Sequence, residues 1–407
     1  MCGAFAFLRK ITYKMNTMVK KKVYFGLSGG VDSSVAAALL LEQGHDVVPV
    51  FLKCWEESDF KDSCPWEEDQ KMALEVAEKL GIADKFQSWN FSQEFFESVV
   101  QYLIDEAKEG RTGNPDVVCN RTIKFGAFLE RAFNEDADFV ATGHYARVRK
   151  IKSGFELLRP RCEAKNDQTY FLWQLSQNQL SRALFPIGEF ESKEAVREEA
   201  KRRGLPTAER KSTRGICFVG KVGQTEFLSQ FLPHQSGDVV TTSGKVVGKH
   251  QGVNFYTLGQ RQGIGVMGGG GPYYVIEKNE MRNELIVAPP AETPKLWKNQ
   301  VVIGELHWIS GYVPQLPFRG SAFIRHPQQN TVPCVLSQNH EERDASTTLG
   351  AGAEPRRTVP RSSAGSLVAE PSASFRVQFN EPQWAPTPGQ SIVLYDNEVV
   401  LGGGVIQ

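Results

Sequence analysis

The chain has 407 residues, 41% hydrophobic and 23% charged, with 47 basic against 47 acidic side chains and a formal net charge of zero. Its length exceeds one ordinary hydrophobic core, so two or three domains are expected. The charge balance excludes capture of nucleic acid by an overall field, and no apolar run reaches the roughly 20 residues that span a bilayer.

The cysteines at 2, 54, 64, 119, 162, 217 and 334 are odd in number and widely spread. None forms a C-x-x-C pair, which argues against a disulfide scaffold and a zinc ribbon and fits a reducing compartment. The first 22 residues carry Arg9, Lys10, Lys14, Lys20, Lys21 and Lys22 and no acid. That pattern is compatible with a cytoplasmic protein whose start lies at Met15 or Met18, or with a mitochondrial presequence.

In chain order, residues 23–27 read as a buried strand and 35–41 as a helix closed by Gly44. Between them lie Gly26, Leu27, Ser28, Gly29, Gly30, Val31, Asp32, Ser33 and Ser34. A glycine-rich turn into a helix N-terminus suits phosphate, because the first N–H groups there have no helical partner and carry partial positive charge. The stretch lacks the Gly-Lys-Ser/Thr ending of a Walker A loop, so γ-phosphoryl transfer is not implied. The plain alternative is a turn with no ligand.

A second strand over Asp46–Lys53 and a helix carrying Met72, Val76, Ala77 and Leu80 follow, then a strand over 86–91, helices over 94–108 and 123–133, and a strand ending at Thr142-Gly143-His144. This alternation predicts a Rossmann-like α/β domain with a parallel sheet, and ligands of such sheets bind beyond the carboxyl ends of the strands. Leu52 and Gly143 end two of those strands. His144 reads as a hydrogen-bonded structural residue, and no metal site is assigned. The cationic run Lys201, Arg202 and Arg203, beside Lys193 and Arg197, has acids interleaved and reads as a solvated helix face or as a phosphate-contacting one. The expected divisions are an extension over 1–22, an α/β domain over 23–222, a small linking domain over 223–288 and a C-terminal β-barrel over 289–407. Residues 338–374, rich in Ser, Thr, Ala, Gly, Pro and Arg, read as a disordered insertion between barrel strands.

Two cysteines have unusual neighbours. Asp116 stands three residues before Cys119, and a helix expected to start near Asn120 would favour the thiolate. Cys217 follows Lys211 and Arg214 in a glycine-flanked loop, where positive charge acts the same way. Cys54, Cys162 and Cys334 read as small buried hydrophobes.

Ser28-Gly29-Gly30-Val31-Asp32-Ser33 resembles the pyrophosphatase loop of enzymes that cleave ATP between its α and β phosphates. With "NPDVVCNRTIKF", "ATGHYA", "NDQTYFL", "GICFVG", "GKHQGVNFYTLGQRQGIGV" and "PTPGQSIVLYD", it makes the chain resemble the MnmA/TrmU family of tRNA-specific 2-thiouridylases from about residue 23 to the C-terminus. GMP synthetase-like and argininosuccinate synthetase-like enzymes share the first loop but not the NPDxxCN and GICF pair.

The resemblance implies an ATP pyrophosphatase domain that adenylates the 2-carbonyl oxygen of the wobble uridine in tRNA, with Lys, Glu and Gln acceptors expected. Sulfur then replaces the oxygen. It further implies that Cys217 carries the sulfur as a persulfide, that Cys119 is the nucleophile releasing it, and that a disulfide between them is the by-product. A cysteine desulfurase or a sulfur relay protein would supply the persulfide. Asp116 would act as acid or base, and Asn114, Pro115 and Asp116 would meet the uridine. ATP would be held by Gly26 to Ser33, Leu52 and Gly143, with Asp32 helping to place Mg2+. Asn166, Asp167 and Gln168 match a tRNA-contacting triplet that more often begins with lysine. Arg325 and His326 stand where the family usually has Arg-Tyr. Two rivals remain: a ligase adenylating a small-molecule carbonyl, which needs neither cysteine, and a non-catalytic RNA-binding protein, which would not release pyrophosphate.

Overall fold

The computed structural model describes residues 20–55, 66–210, 224–267, 272–325, 328, 330–339 and 374–407. Cys2, Cys64, Cys217, His326, the start of the chain and nearly all of the expected insertion lie outside the described residues.

The first sheet contains β1 (Lys22–Gly26), β2 (Asp46–Lys53), β3 (Gln87–Asn90), β4 (Phe139–Ala141) and, from later in the chain, the two-residue strand Ala183–Leu184. All pairings are parallel, and the spatial order is β3-β2-β1-β4 followed by Ala183–Leu184. The central strands β1, β2 and β4 read as nearly unbroken apolar runs because both their faces are covered, whereas the edge strand β3 is polar and buries only Trp89. Val23 and Phe25 enter one core with Val47 and Phe51, while Tyr24 enters the other with Val48, Val50 and Leu52, as two-residue periodicity requires. Helix α1 (Val31–Glu42) follows β1 and begins four residues before the apolar run that predicted it. Helix α2 (Trp66–Lys79) buries Ala73, Val76 and Ala77, whereas Met72 stays half-exposed. The strand order reverses between β1 and β4, and there the turn after β1 meets the turn after β4.

The C-terminal strands are β12 (Trp297–Trp308), β13 (Phe318–Phe323), β14 (Val332–Gln338), β15 (Phe375–Trp384), β16 (Ser391–Asp396) and β17 (Val399–Ile406), counting β5 to β11 as the strands given below. They run in the order β12-β15-β14-β13-β16-β17, and β12 pairs with β17 to close a six-stranded barrel around Ile303, Leu336, Val377, Ile392 and Leu394. The smaller central sheet joins β8 (Gly237–Thr241), β9 (Val246–His250), β10 (Tyr274–Asn279) and β11 (Glu284–Ala288).

One pairing crosses the expected domain boundary. The hairpin of β5 (Arg147–Ile151) and β6 (Gly154–Leu158) belongs to the α/β segment by sequence, yet β6 pairs with β17 of the barrel, Val399 opposite Leu158 and Val400 opposite Leu157. The strand Ala183–Leu184 is therefore β7 in chain order. Buried Leu157, Leu158 and Val400 seal the junction, each contributing roughly 1.5–3 kcal/mol by burial. Arg147, 9% exposed, donates to Glu398 Oε2 at 2.6 Å across it.

A second junction surrounds residues 110–114. Lys278 of β10 donates to Gly110 O, Thr112 N–H donates to Pro388 O (3.0 Å), Gln390 Nε2 donates to Thr112 O (2.8 Å), and Thr112 Oγ1 lies 3.1 Å from Thr257 Oγ1. The α/β domain, the central sheet and the barrel thus grip one short loop, beside a cavity of about 210 Å³ lined by Thr112, Gly113, Tyr256, Thr257 and Gln260.

Candidate active site

The turn after β1 is built to present backbone donors. Gly29 has φ +72°, and a Cβ there would stand 2.5 Å from Asp69 O, so a side chain is excluded on both counts. Gly30 is the N-cap of α1, and the first intrahelical bond is Ser34 N–H to Gly30 O at 3.1 Å. The N–H groups of Val31, Asp32 and Ser33 precede it and have no helical acceptor. Ser33 and Ser34 hydroxyls also donate to Gly30 O, at 3.0 and 2.8 Å, and Ser28 Oγ lies 3.1 Å from Ser33 Oγ. Leu27 and Val31 are core residues, so they offer only main chain to a ligand, and Leu52 is 7% exposed beside Gly26.

The turn after β4 closes against this one. A Cβ on Gly143 would stand 2.8 Å from Ser33 N and 2.9 Å from Ser33 Cα. His144 is buried, its Nδ1 2.7 Å from Thr142 Oγ1, and burial holds its imidazole well below the usual range and therefore neutral. His144 is hydrogen-bonded as expected, and Gly143 lies against the first turn of α1.

Asp32 sits in the first turn of α1, where its carboxylate accepts from Tyr145 Oη at Oδ1 (2.7 Å) and from Lys193 Nζ at Oδ2 (3.1 Å). Burial and the Asp32 charge push the Tyr145 phenol far up, so it remains a donor. Among the described residues no group of three or more His, Cys, Asp or Glu side chains gathers as a metal cage. One carboxylate fits Mg2+ of the kind held largely by substrate phosphates and water. Arg210 completes the loop's support, donating to Gly29 O at 2.7 Å and pairing with Asp69.

The second motif departs from the sequence reading. The helix begins at Pro115, with Asn114 as N-cap, and runs unbroken through Pro115–Cys119, the π-helical Asn120–Ala127 and Phe128–Asn134. Pro at the first helical position needs no N–H acceptor and has its φ preset, which outcompetes Asn120 as the start. Cys119 is therefore inside the helix, neither before its N-terminus nor on a loop, and the stabilisation expected from the helix end falls to Asp116 in the first turn. Cys119 is also 1% exposed, in a core with Trp55, Val118 and Phe227. A π-helical turn directly after it is a feature frequent at functional sites.

Asn114 is buried and held by two tyrosines, one of which is tied to the barrel. Its N–H donates to Tyr102 Oη (3.2 Å), its side chain is a hydrogen-bond neighbour of Tyr170, and Tyr170 Oη donates to Ser391 O of the barrel (2.9 Å). Burial pushes the Tyr102 phenol up to about 12. Glu106, 7% exposed, accepts two bonds from Arg111 and braces the preceding turn.

Of the expected tRNA-contacting residues, Asp167 is 1% exposed. Its carboxylate accepts from Arg159 Nε (2.7 Å) and from Thr169 N and Oγ1 (2.9 and 2.6 Å), so it shapes the loop from within rather than facing a ligand. Asn166 and Gln168 are half-buried, and Gln168 Oε1 accepts from Tyr145 N–H at 2.8 Å. Arg325 is half-buried and donates to Ala385 O at 3.1 Å. The cationic run is engaged with protein: Lys201 with Glu209, Arg202 with Glu199, and Arg203 with Glu199 and Glu42. Tyr145, Tyr102 and Arg210 were not singled out as site residues by sequence, and Lys193 only as a neighbour of the cationic run on a face that could be solvated or contact phosphate. The signal for each is the partner it meets, between 12 and 181 positions away.

Comparison with known proteins gives consistent matches along the chain. A family model described as the tRNA methyl transferase HUP domain covers residues 21–221, a tRNA methyl transferase PRC-barrel domain model covers 225–289, and an aminomethyltransferase beta-barrel domain model covers 356–406. The tRNA-specific 2-thiouridylase MnmA of Methylobacillus flagellatus is 42% identical over 392 residues, which are 95% of this chain and 99% of that protein. The proteins of the same name from Paraburkholderia phymatum and Halalkalibacterium halodurans are each 43% identical, over 96% and 95% of this chain and 94% of each relative.

Proposed function

Because the chain belongs to the tRNA-specific 2-thiouridylase family, we propose that it is an ATP-dependent tRNA-uridine 2-sulfurtransferase acting on the wobble uridine of Lys, Glu and Gln acceptor tRNAs. The observation that supports this reading best is the seating of the Ser28–Ser33 turn against Gly143 at the point where the strand order reverses.

Uridine O2 attacks the α-phosphorus of ATP, and the bond to pyrophosphate breaks. The N–H groups that open α1 and the serine hydroxyls hold the departing phosphates, and Asp32 would hold Mg2+, which would supply neutralising charge. The terminal sulfur of a persulfide on Cys217 then adds to C2, and AMP leaves with the oxygen. Attack of the Cys119 thiolate on the inner sulfur of the C2–S–S–Cys217 bridge frees 2-thiouridine. The cysteines end as a disulfide, their two electrons having reduced the transferred sulfur, and a thiol reductant resets them. A cysteine desulfurase or relay protein reloads Cys217. Asp116, in the first turn two residues from Asn114, moves the proton at the base or thiol. Asn166, Gln168 and Arg325 contact tRNA, and Asp167 positions the first two.

The test is tRNA-dependent pyrophosphate release from ATP. The wild-type protein should release it, and Asp32→Ala should not. Equal release by both proteins would remove this loop from the reaction.

A further inference from the structure

The loop that replaces a Walker A motif has no lysine of its own, but the fold brings one to it. Lys193 is 161 residues from Asp32 in sequence, and its ammonium lies 3.1 Å from Asp32 Oδ2. The pair is about one quarter exposed, 26% for the lysine and 24% for the aspartate, so it is shielded without being sealed. The lysine is fixed at its base. It is the first residue of the helix Lys193–Arg202, whose N-cap Ser192 accepts from Ala195 N–H at 3.0 Å. It is free only along its four-carbon stem, and its tip lies 5.9 Å from the centre of the Tyr145 ring.

Its neighbours are committed elsewhere. Arg197, one turn further along the helix, donates to Ala208 O and Arg210 O, and Arg210 is paired with Asp69. Lys193 thus stands apart from the cationic run behind it, which is absorbed by Glu42, Glu199 and Glu209.

We propose that Lys193 is the phosphate-binding cation of this site, resting on Asp32 in the absence of nucleotide and transferring to the nucleotide's phosphates when Mg2+ takes Asp32. The inference rests on the ATP reading of the loop. Asp32 has two oxygens, one already fixed by Tyr145, so a cation drawn to the other competes directly with Lys193. The displaced ammonium then finds the polyphosphate as the nearest anion, on a stem long enough to follow it. The exchange conserves charge: one contact between opposite charges is replaced by two, Asp32 to metal and Lys193 to phosphate. It also keeps the lysine from being buried without a partner in either state.

The test is equilibrium binding of Mg-ATP, Mg-pyrophosphate and adenosine to the full-length protein and to Lys193→Met and Lys193→Arg, by calorimetry. Lys193→Met should weaken Mg-ATP and Mg-pyrophosphate by about tenfold or more, the usual scale for losing one charge-assisted hydrogen bond, and leave adenosine unchanged. Lys193→Arg should recover part of the loss. Mg-ATP affinity within twofold of wild type in Lys193→Met would overturn the proposal, as would an equal loss for adenosine, which marks general damage. A wild-type protein that binds Mg-ATP but makes no thiolated tRNA would defeat the family reading and leave the lysine's role standing. One that binds no Mg-ATP would defeat both.

Discussion

A Cβ placed on Gly143 would lie 2.8 Å from the backbone nitrogen of Ser33, so the turn after β4 and the first turn of α1 are in backbone contact. That contact sets the spacing of the two turns, and in the proposed reaction a nucleotide meets the N–H groups of Val31 to Ser33 beside it. Gly143→Ala must push the two apart, because the atoms a Cβ would meet are main-chain atoms of Asp32 and Ser33 that cannot rotate aside. A displacement approaching 1 Å at a reacting centre costs on the order of 10²-fold in rate, so tRNA-dependent pyrophosphate release should fall by about that factor. The thermal midpoint should change little. A kinetic assay beside a melting curve checks both.

Cys119 is buried at 1% exposure within a helix, and the nucleophilic role proposed for it requires that it be uncovered before it reacts. Alkylation of Cys119 by iodoacetamide, read by peptide mass analysis, should be slow in the protein alone and accelerate when tRNA and ATP are both present. Rapid labelling of the unliganded protein would show that no such opening is required.

The placement of Cys119 is decided by a local competition within the sequence. "NPDVVCN" contains two good helix starts, Asn114 followed by Pro115 and Asn120 followed by Arg121. The former wins because Pro presets the helical φ and Asp116 complements the helix end. That information is local and was legible. The partnership of Lys193 with Asp32 and the addition of the 147–158 hairpin to the barrel were not. Both depend on which surfaces meet after folding, and alternating strands such as β5 and β6 carry no mark of the sheet they join. The strand Asp46–Lys53, by contrast, was readable to the residue because continuous burial on two faces leaves an unbroken apolar run.

Glu398 ties the hairpin to the barrel through Arg147, with Arg149 and Arg161 nearby. The hydrogen bond from Arg147, opposed by partial burial and helped by the three guanidinium charges, holds its carboxyl below the ordinary value of 4.5. A depressed folded value means that the contribution to stability is present above the unfolded value and is lost as pH falls through the folded one. Melting curves should therefore show an acid-side loss of stability below about pH 4.5 that is shallower in Glu398→Gln. Identical acid limbs for the two proteins would show that this junction is not what acid weakens.

The flanks of the 340–373 stretch are already partners. Gln338 of β14 stands opposite Phe375 of β15, and Asn339 N–H donates to Ser374 O at 3.1 Å. Removing residues 341–370 should leave the barrel closed and thiolation within about threefold, since loop length changes closure free energy by only about 0.6 kcal/mol per doubling. Weakened tRNA binding in the deletion would instead give Arg356, Arg357 and Arg361 a part in RNA recognition.

In the reaction proposed here, ATP cleavage at the Ser28–Ser33 turn and sulfur transfer by two cysteines meet on one uridine. Nucleoside mass analysis of tRNA incubated with the protein, ATP, Mg2+ and a persulfide donor tests it most directly, with Cys119→Ser and Cys217→Ser in parallel. The predicted result is 2-thiouridine at the wobble position with the wild-type protein only, lost on omitting ATP, while both variants still bind tRNA and ATP. Thiolated uridine from either variant at the wild-type rate, or pyrophosphate release by the wild type with no thiolated nucleoside, would contradict it.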